Sequence, residues 1–233
     1  SPFEIHGYIS QGYMQTDRNN FLADTVGGTW QMKELGFNIS KEITSKLRIG
    51  IQLMSLDIGD VGNNDVILDW GFADYRWKSY LGCRIGKMKV AIGLHNETRD
   101  IDAVRPSIFV PSSVYNLHFR DSIMAADGIG LYGYVPLGFC GSLSYQFTTG
   151  TGNISSKNSS AKFVNSVGII DTKKIHVKEG YAAQILWETF IDGLIIGGTK
   201  CDFNIDIFGK TTYHPLWIFM LKVPYGTKSV YHV

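Results

Sequence analysis

From Leu35 to Ser55 the chain alternates with period two, and this pattern restricts its fold more than any other feature. Leu35, Phe37, Ile39 and Ile43 are apolar, while Glu34, Gly36, Asn38, Ser40 and Glu42 between them are polar or small. After Thr44-Ser45-Lys46 the alternation resumes, with Leu47, Ile49, Ile51 and Leu53 on one face and Arg48, Gly50 and Gln52 on the other. Successive side chains of a strand point to opposite sides of its sheet, so the two runs read as a two-faced β-hairpin. Similar alternation in 64–78, with Val66, Leu68, Trp70 and Phe72 read as one face, and in 141–149 extends the pattern over most of the chain. Helical periodicity with caps is not evident in any segment.

About ten strands are readable, near 3–16, 29–43, 46–57, 64–78, 81–92, 128–136, 141–152, 181–190, 194–204 and, more weakly, 212–223. The links between them sort by parity. Those at 17–28, 58–63, 93–127 and 153–180 are moderate to very long, whereas those at 44–45, 79–80, 137–140 and around Asp192-Gly193 are short. Short turns at one end and long loops at the other are the habit of a transmembrane up-and-down β-barrel, whose spanning strands need about 9 to 11 residues. Trp30, Trp70, Tyr75, Trp77, Tyr80, Tyr132, Tyr134, Tyr181 and Trp187 lie at or near strand ends, as interfacial aromatic girdles require. The alternative is a soluble β-sandwich with these aromatics in its core, but a sandwich has no reason to sort its loops by parity.

Composition removes other classes. The 22 basic and 21 acidic residues leave a net charge of +1, so nucleic acid is not an expected partner. The longest apolar run, Pro215 to Leu221, falls far short of the roughly 18 to 20 residues of a membrane-spanning helix. Cys83, Cys140 and Cys201 are odd in number and lack metal-binding spacing, which argues against a disulfide framework and a zinc site. Asp57, Asp60, Asn63, Asn64 and Asp65 have the composition of calcium ligands but the spacing of a polar turn. No cofactor and no metal are expected. The chain begins in a strand pattern without a hydrophobic leader, as a processed secreted chain would.

The passages FEIHGYISQGYMQTDRNNFL, VILDWGFADYRW, LGCRIGKMKVAIGLHNETRDIDAVRPSIFVPSSVY and DGIGLYGYVPLG resemble the N-terminal part of Gram-negative outer-membrane porins, in particular porin-like proteins distantly similar to the phosphate-selective porins. The resemblance covers roughly residues 3 to 200 and is sharpest from Leu81 to Tyr115. It implies a bacterial outer-membrane location, a barrel of about sixteen strands, frequent homotrimers, a long third loop folded into the pore and no enzymatic reaction. The chain departs from that pattern after Asn204: 205–233 reads as irregular, as in a truncated or diverged member. The whole of 1–233 is expected to form a single barrel domain, surrounded by outer-membrane lipid.

The 93–127 link is the candidate functional segment, because loops of that length in compact domains usually carry function or are disordered. Glu97, Arg99, Asp100, Asp102 and Arg105 charge its first half and Arg120 and Asp121 its second, while Ile108-Phe109-Val110 offers an apolar anchor. Arg48 and Arg84 fall on the polar face of their strands and are expected to oppose the loop across a constriction. A bulge expected near Gly86 shifts the register and brings Lys87 to join them. Such a ring of charges selects ions by sign, so passive passage of small hydrophilic solutes or ions is the expected function. The competing functions are a non-conducting structural or adhesion barrel and a barrel hydrolase using His118 with Asp121. The loop charges also have a purely structural reading, as salt bridges that hold the loop.

Overall fold

A computed structural model describes the backbone of residues 2–59, 61–94, 96–97, 109, 112, 114–120, 125–155, 159–166, 174–207, 210–225 and 228–232, with side chains up to 204 except in 153–155, 164–166 and 174–176. Eleven strands follow one another: β1 (Glu4–Gln11), β2 (Met32–Glu42), β3 (Leu47–Ile58), β4 (Val66–Lys78), β5 (Leu81–Lys89), β6 (Ala125–Pro136), β7 (Ser142–Ser155), β8 (Lys174–Glu188), β9 (Ile195–Ile207), β10 (Lys210–Tyr225) and β11 (Lys228–His232). Each lies antiparallel beside its sequence neighbours in one sheet ordered β1 to β11. This is the all-β, antiparallel up-and-down architecture that the alternation implies. Among the described residues β1 pairs only with β2 and β11 only with β10.

Loop parity holds from β1 to β9, and the two-residue β9–β10 link at 208–209 breaks it. The chain from 205 onward is not irregular as expected. The β10 backbone pairs with β9 from Lys210↔Ile207 to Lys222↔Ile195, because a sheet edge templates a strand whatever its side-chain pattern. One short helix, α1 (Ser159–Ser166), occupies the β7–β8 link, where no helix was expected.

The two faces of the sheet have opposite chemistry. On β3, Ile51 is 48% exposed and points outward with Ile49 and Leu53, whereas Gln52 at 6% and Met54 at 2% point inward. Large apolar side chains outside and amides, hydroxyls and charges inside invert the usual soluble arrangement. Ile5, Ile9, Leu35, Phe37, Ile85, Ile129, Leu131 and Ile185 extend the exposed apolar surface over strands β1 to β8. Tyr75, Trp77, Tyr80, Phe139 and Phe190 are exposed near the short-turn end, and Tyr13, Phe21 and Trp30 in the first long loop.

Within β4 the simple alternation fails. Gln52 pairs with Trp70 but Leu53 pairs with Leu68, which leaves Asp69 as an extra residue. A bulge of this kind turns consecutive side chains toward one side. Val66 and Leu68 therefore share the outer face of Leu53, while Trp70 and Phe72 share the inner face of Gln52 and Gly50. Trp70, expected in a girdle, instead covers the inner side of Gly50, and Tyr132 likewise lies inside, over Gly82.

No bulge occurs at Gly86. The ladders Gly71↔Lys87, Phe72↔Gly86 and Ala73↔Ile85 run without a shift, as do those from β5 to β6. Gly86 instead has φ +133°, and a Cβ there would run into the Gly71 carbonyl and Phe72. It begins an inward row of glycines, Gly86↔Gly128↔Gly150↔Gly180, that strips side chains from a band across β5 to β8. Gly86→Val is expected to destabilise the fold by about 1–3 kcal/mol through forced backbone strain. Gly27→Ala, where a Cβ meets nothing within 4 Å, should change stability by less than about 0.5 kcal/mol. Urea midpoints of the two variants in detergent check the contrast.

Candidate constriction site

Beyond β5 the chain does not leave the sheet but turns back across its inner face. Val90 and Ile92 are buried against Ala182 of β8 and Cys201 of β9, with Leu94, Val114 and Phe119 completing the cluster. The bare glycine row leaves room for this leg. One buried polar contact then fixes it to the wall: Gln184 Nε2, itself held by Thr199 Oγ1 at 3.0 Å, donates to the Gly93 carbonyl at 2.6 Å. Asn96 Nδ2 donates to the Val90 carbonyl at 2.6 Å, which closes the turn.

The returning leg is fixed to the opposite part of the wall. A 3-10 turn, Leu117–Phe119, is capped by Asn116, whose side chain accepts from the His118 amide. Leu117 packs on Leu56, Ile58 and Val61 at the long-loop end of β3. Arg120 reaches β2, with Nη2 2.6 Å from Glu34 Oε1. Helix α1 supports this leg: Ser159 Oγ donates to the His118 carbonyl at 3.1 Å, and the Phe163 ring stacks on His118 at 4.5 Å. The described parts of the segment therefore contact β8–β9 at one end and β2–β3 at the other, all on the inner face. Phe109, from the expected apolar anchor, meets Phe21 of the first long loop edge-on at 5.6 Å.

The charged part of the site centres on Arg84. Its Nε lies 3.3 Å from Asp74 Oδ2 and its Nη1 3.2 Å from Glu97 Oε1. Its guanidinium sits between the rings of Phe72 at 5.2 Å and Tyr132 at 4.4 Å, which hold the plane in place. Tyr132 donates its hydroxyl to Asp74 Oδ1, and Gln146 Nε2 donates to Glu97 Oε2 at 3.0 Å. The Glu97 carboxylate is thus joined to β5 and β7 at once. At 40% side-chain exposure it is also the member of the cluster most open to water. At the β4 bulge, Lys89, which shares the parity of Lys87 along β5, brings its Nζ within 3.2 Å of Asp69 Oδ2, and Gln52 Nε2 donates to the same oxygen at 2.8 Å.

Of the residues expected at the site, the structure brings Arg84 and Glu97 together and places Arg120 on the far wall. Arg48 lies on the inner face in register with Asp74 and is exposed near the short-turn end. Lys87 is corrected: with the register unbroken at Gly86, it keeps the parity of the outward Ile85, in the row of Gly71 and Asp127. Arg99, Asp100, Asp102, Arg105 and Asp121 lie outside the described residues. Asp74, Tyr132, Gln146, Glu34 and Gln184 were not singled out from the sequence, because only strand register shows what opposes them. Asp57, once weighed as a cation ligand, accepts from Asn64 Nδ2 at 2.9 Å and lies 3.7 Å from Lys33 Nζ. Among the described residues there is no cluster of metal-ligating side chains, and no helix is long and apolar enough to cross a membrane.

No family model and no curated protein matches the sequence. Among solved structures, the chain is similar to a loop-L8 deletion mutant of OmpT, an outer membrane protein of Vibrio cholerae, at 13% identity and a TM-score of 0.46. That alignment covers 98% of this chain and 80% of the other. A second structure of OmpT of Vibrio cholerae aligns at 10% identity and a TM-score of 0.40, over 99% of this chain and 73% of that one. Likeness at this level assigns neither activity nor residues.

Two substitutions separate anchoring from field. Arg120→Ala leaves the largely covered Glu34 with the Tyr8 hydroxyl but without its cation, and is expected to destabilise the protein by about 3 kcal/mol. Glu97→Gln removes a half-exposed charge and should shift stability by less than about 1 kcal/mol. Denaturant unfolding followed by tryptophan fluorescence measures both.

Proposed function

We propose that the chain is an outer-membrane β-barrel protein of the porin type, with its apolar face against lipid and small hydrophilic solutes or ions passing along its inner face. The observation that carries this reading is the two-faced sheet, with exposed Ile49, Ile51 and Leu53 outside and Gln52, Asp74, Arg84, Gln146 and Gln184 inside. A lipid-facing apolar belt and a hydrated lumen explain both faces, whereas an aqueous exterior explains neither. The segment after β5 narrows that lumen, and its Glu97 stands with Arg84 and Asp74 where a passing ion meets them. Fixed charges at such a narrowing select by sign. Arg48 and Arg84 on the wall favour anions, in keeping with the resemblance to relatives of the phosphate-selective porins. Assembly as a homotrimer in outer-membrane lipid belongs to the same reading.

The Arg84 cluster distinguishes a channel from a structural barrel. In planar bilayers the folded protein should give discrete conductance steps. Arg84→Gln, which keeps an amide donor for the buried Asp74, should move the reversal potential in a salt gradient toward cation preference and Glu97→Gln toward anion preference, each read on protein first shown to be folded and inserted. Folded, inserted protein without conductance steps would overturn the channel reading and leave a structural barrel. Steps whose selectivity ignores both substitutions would remove the cluster from the constriction. The hydrolase alternative draws no support from His118, whose ring is stacked on Phe163.

A further inference from the structure

The outer face of the sheet carries a trough near its short-turn end. Ile39, Ile49 and Ile51 rise around it, Gly71 and Ala73 form its low floor, and Lys41 stands at its margin beside Phe3. Register explains the shape: Ile39↔Ile51↔Gly71 and Lys41↔Ile49↔Ala73 are adjacent rows in which bulk falls away from β3 to β4. The space measures about 460 Å³, within the range of roughly 300–1,000 Å³ typical of small-ligand clefts. It opens outward, since Ile39, Lys41, Ile49, Ile51, Gly71 and Ala73 share the outward parity, while Ser40, Gly50 and Phe72 of the row between them complete the lining.

Lys41 gives the trough a polar end. It is the penultimate residue of β2, at the end marked by the exposed Tyr75 and Trp77, and its ammonium lies over the Phe3 ring at 4.6 Å. Among the described residues no carboxylate lies within ion-pair distance of it. An apolar trough that runs toward mid-sheet from one interfacial cation is complementary to a lipid with an anionic phosphate head. We propose that the trough holds one acyl chain of a glycerophospholipid whose phosphate pairs with Lys41. This rests on the reading that the outer face meets lipid. A long side chain keeps its charge at the interface while its stem lies along apolar surface, which is the posture the site requires of Lys41.

The test titrates the full chain in neutral detergent with dioleoylphosphatidylglycerol and counts bound lipid by native mass spectrometry. Dioleoylglycerol, with the same chains and no phosphate, is the comparison. One saturable phosphatidylglycerol per chain is expected, with Lys41→Gln binding about fivefold more weakly. Ala73→Trp, which fills the floor, should abolish that site, and Ile129→Trp, elsewhere on the outer face, should leave it unchanged. Equal retention of dioleoylglycerol, binding unaltered by Lys41→Gln, or a second copy of the chain displacing lipid would each overturn the proposal. If Ala73→Trp does not fold, Lys41→Gln alone decides. Insertion of the wild-type chain into vesicles is scored separately: failure to insert removes the lipid-facing reading itself, whereas insertion without a Lys41-dependent lipid removes only the trough.

Discussion

The structure depends on the backbone ladder. From β2 to β10 each strand has a neighbour on both sides, so its N–H and C=O groups are satisfied within the sheet. In hydrocarbon an unsatisfied peptide group costs several kcal/mol, and a continuous antiparallel ladder is one of the few arrangements that avoids this. With the backbone satisfied internally, each face is free to take its own chemistry. Ile49, Ile51 and Leu53 can then stand outside in numbers that a water-facing sheet would not carry, while Gln52, Asp74 and Arg84 line the inside.

The same ladder builds the site. Because register is continuous from β4 to β8, Asp74, Arg84, Gly130, Thr148 and Ala182 form one inward row, and the glycine row from Gly86 to Gly180 lies beside it. One row supplies charge and the other supplies room. The segment after β5 settles over the glycines, buries Val90 and Ile92, and brings Glu97 to Arg84. Its far leg is held independently by Arg120 on Glu34 and Leu117 on the β3 cluster. The described parts of the segment are thus held at two separate places on the inner face, and Glu97 is fixed in position by Arg84 and Gln146.

Much of this was legible in the sequence because two-faced strands must alternate. The strands from β1 to β9 and the loop parity follow from period two and loop length, and the same alternation puts Arg84 on the polar face of β5, where Glu97 meets it. What was not legible follows from register. The bulge at Asp69 reverses the face of Trp70 and Phe72 without altering the apparent alternation of β4. The absence of one at Gly86 leaves Lys87 on the outer face, since a glycine accommodates a positive φ without an inserted residue. Asp74, Tyr132 and Gln146 are ordinary residues until pairing sets them around one guanidinium and one carboxylate. β10 carries little alternation, and its pairing with β9 reveals it. Eight residues of helix α1 are too few for periodicity to separate from a loop.

The central claim is that one face of this sheet meets lipid and the other meets water. Spin labels placed singly from residue 49 to residue 54 of β3, in a chain with Cys83, Cys140 and Cys201 replaced by serine and reconstituted in vesicles, test it directly. Collision with oxygen should be high and collision with a water-soluble nickel chelate low at 49, 51 and 53, with lower oxygen accessibility at 50, 52 and 54. Equal nickel accessibility on both sets of positions, or alternation with the opposite phase, would contradict the account.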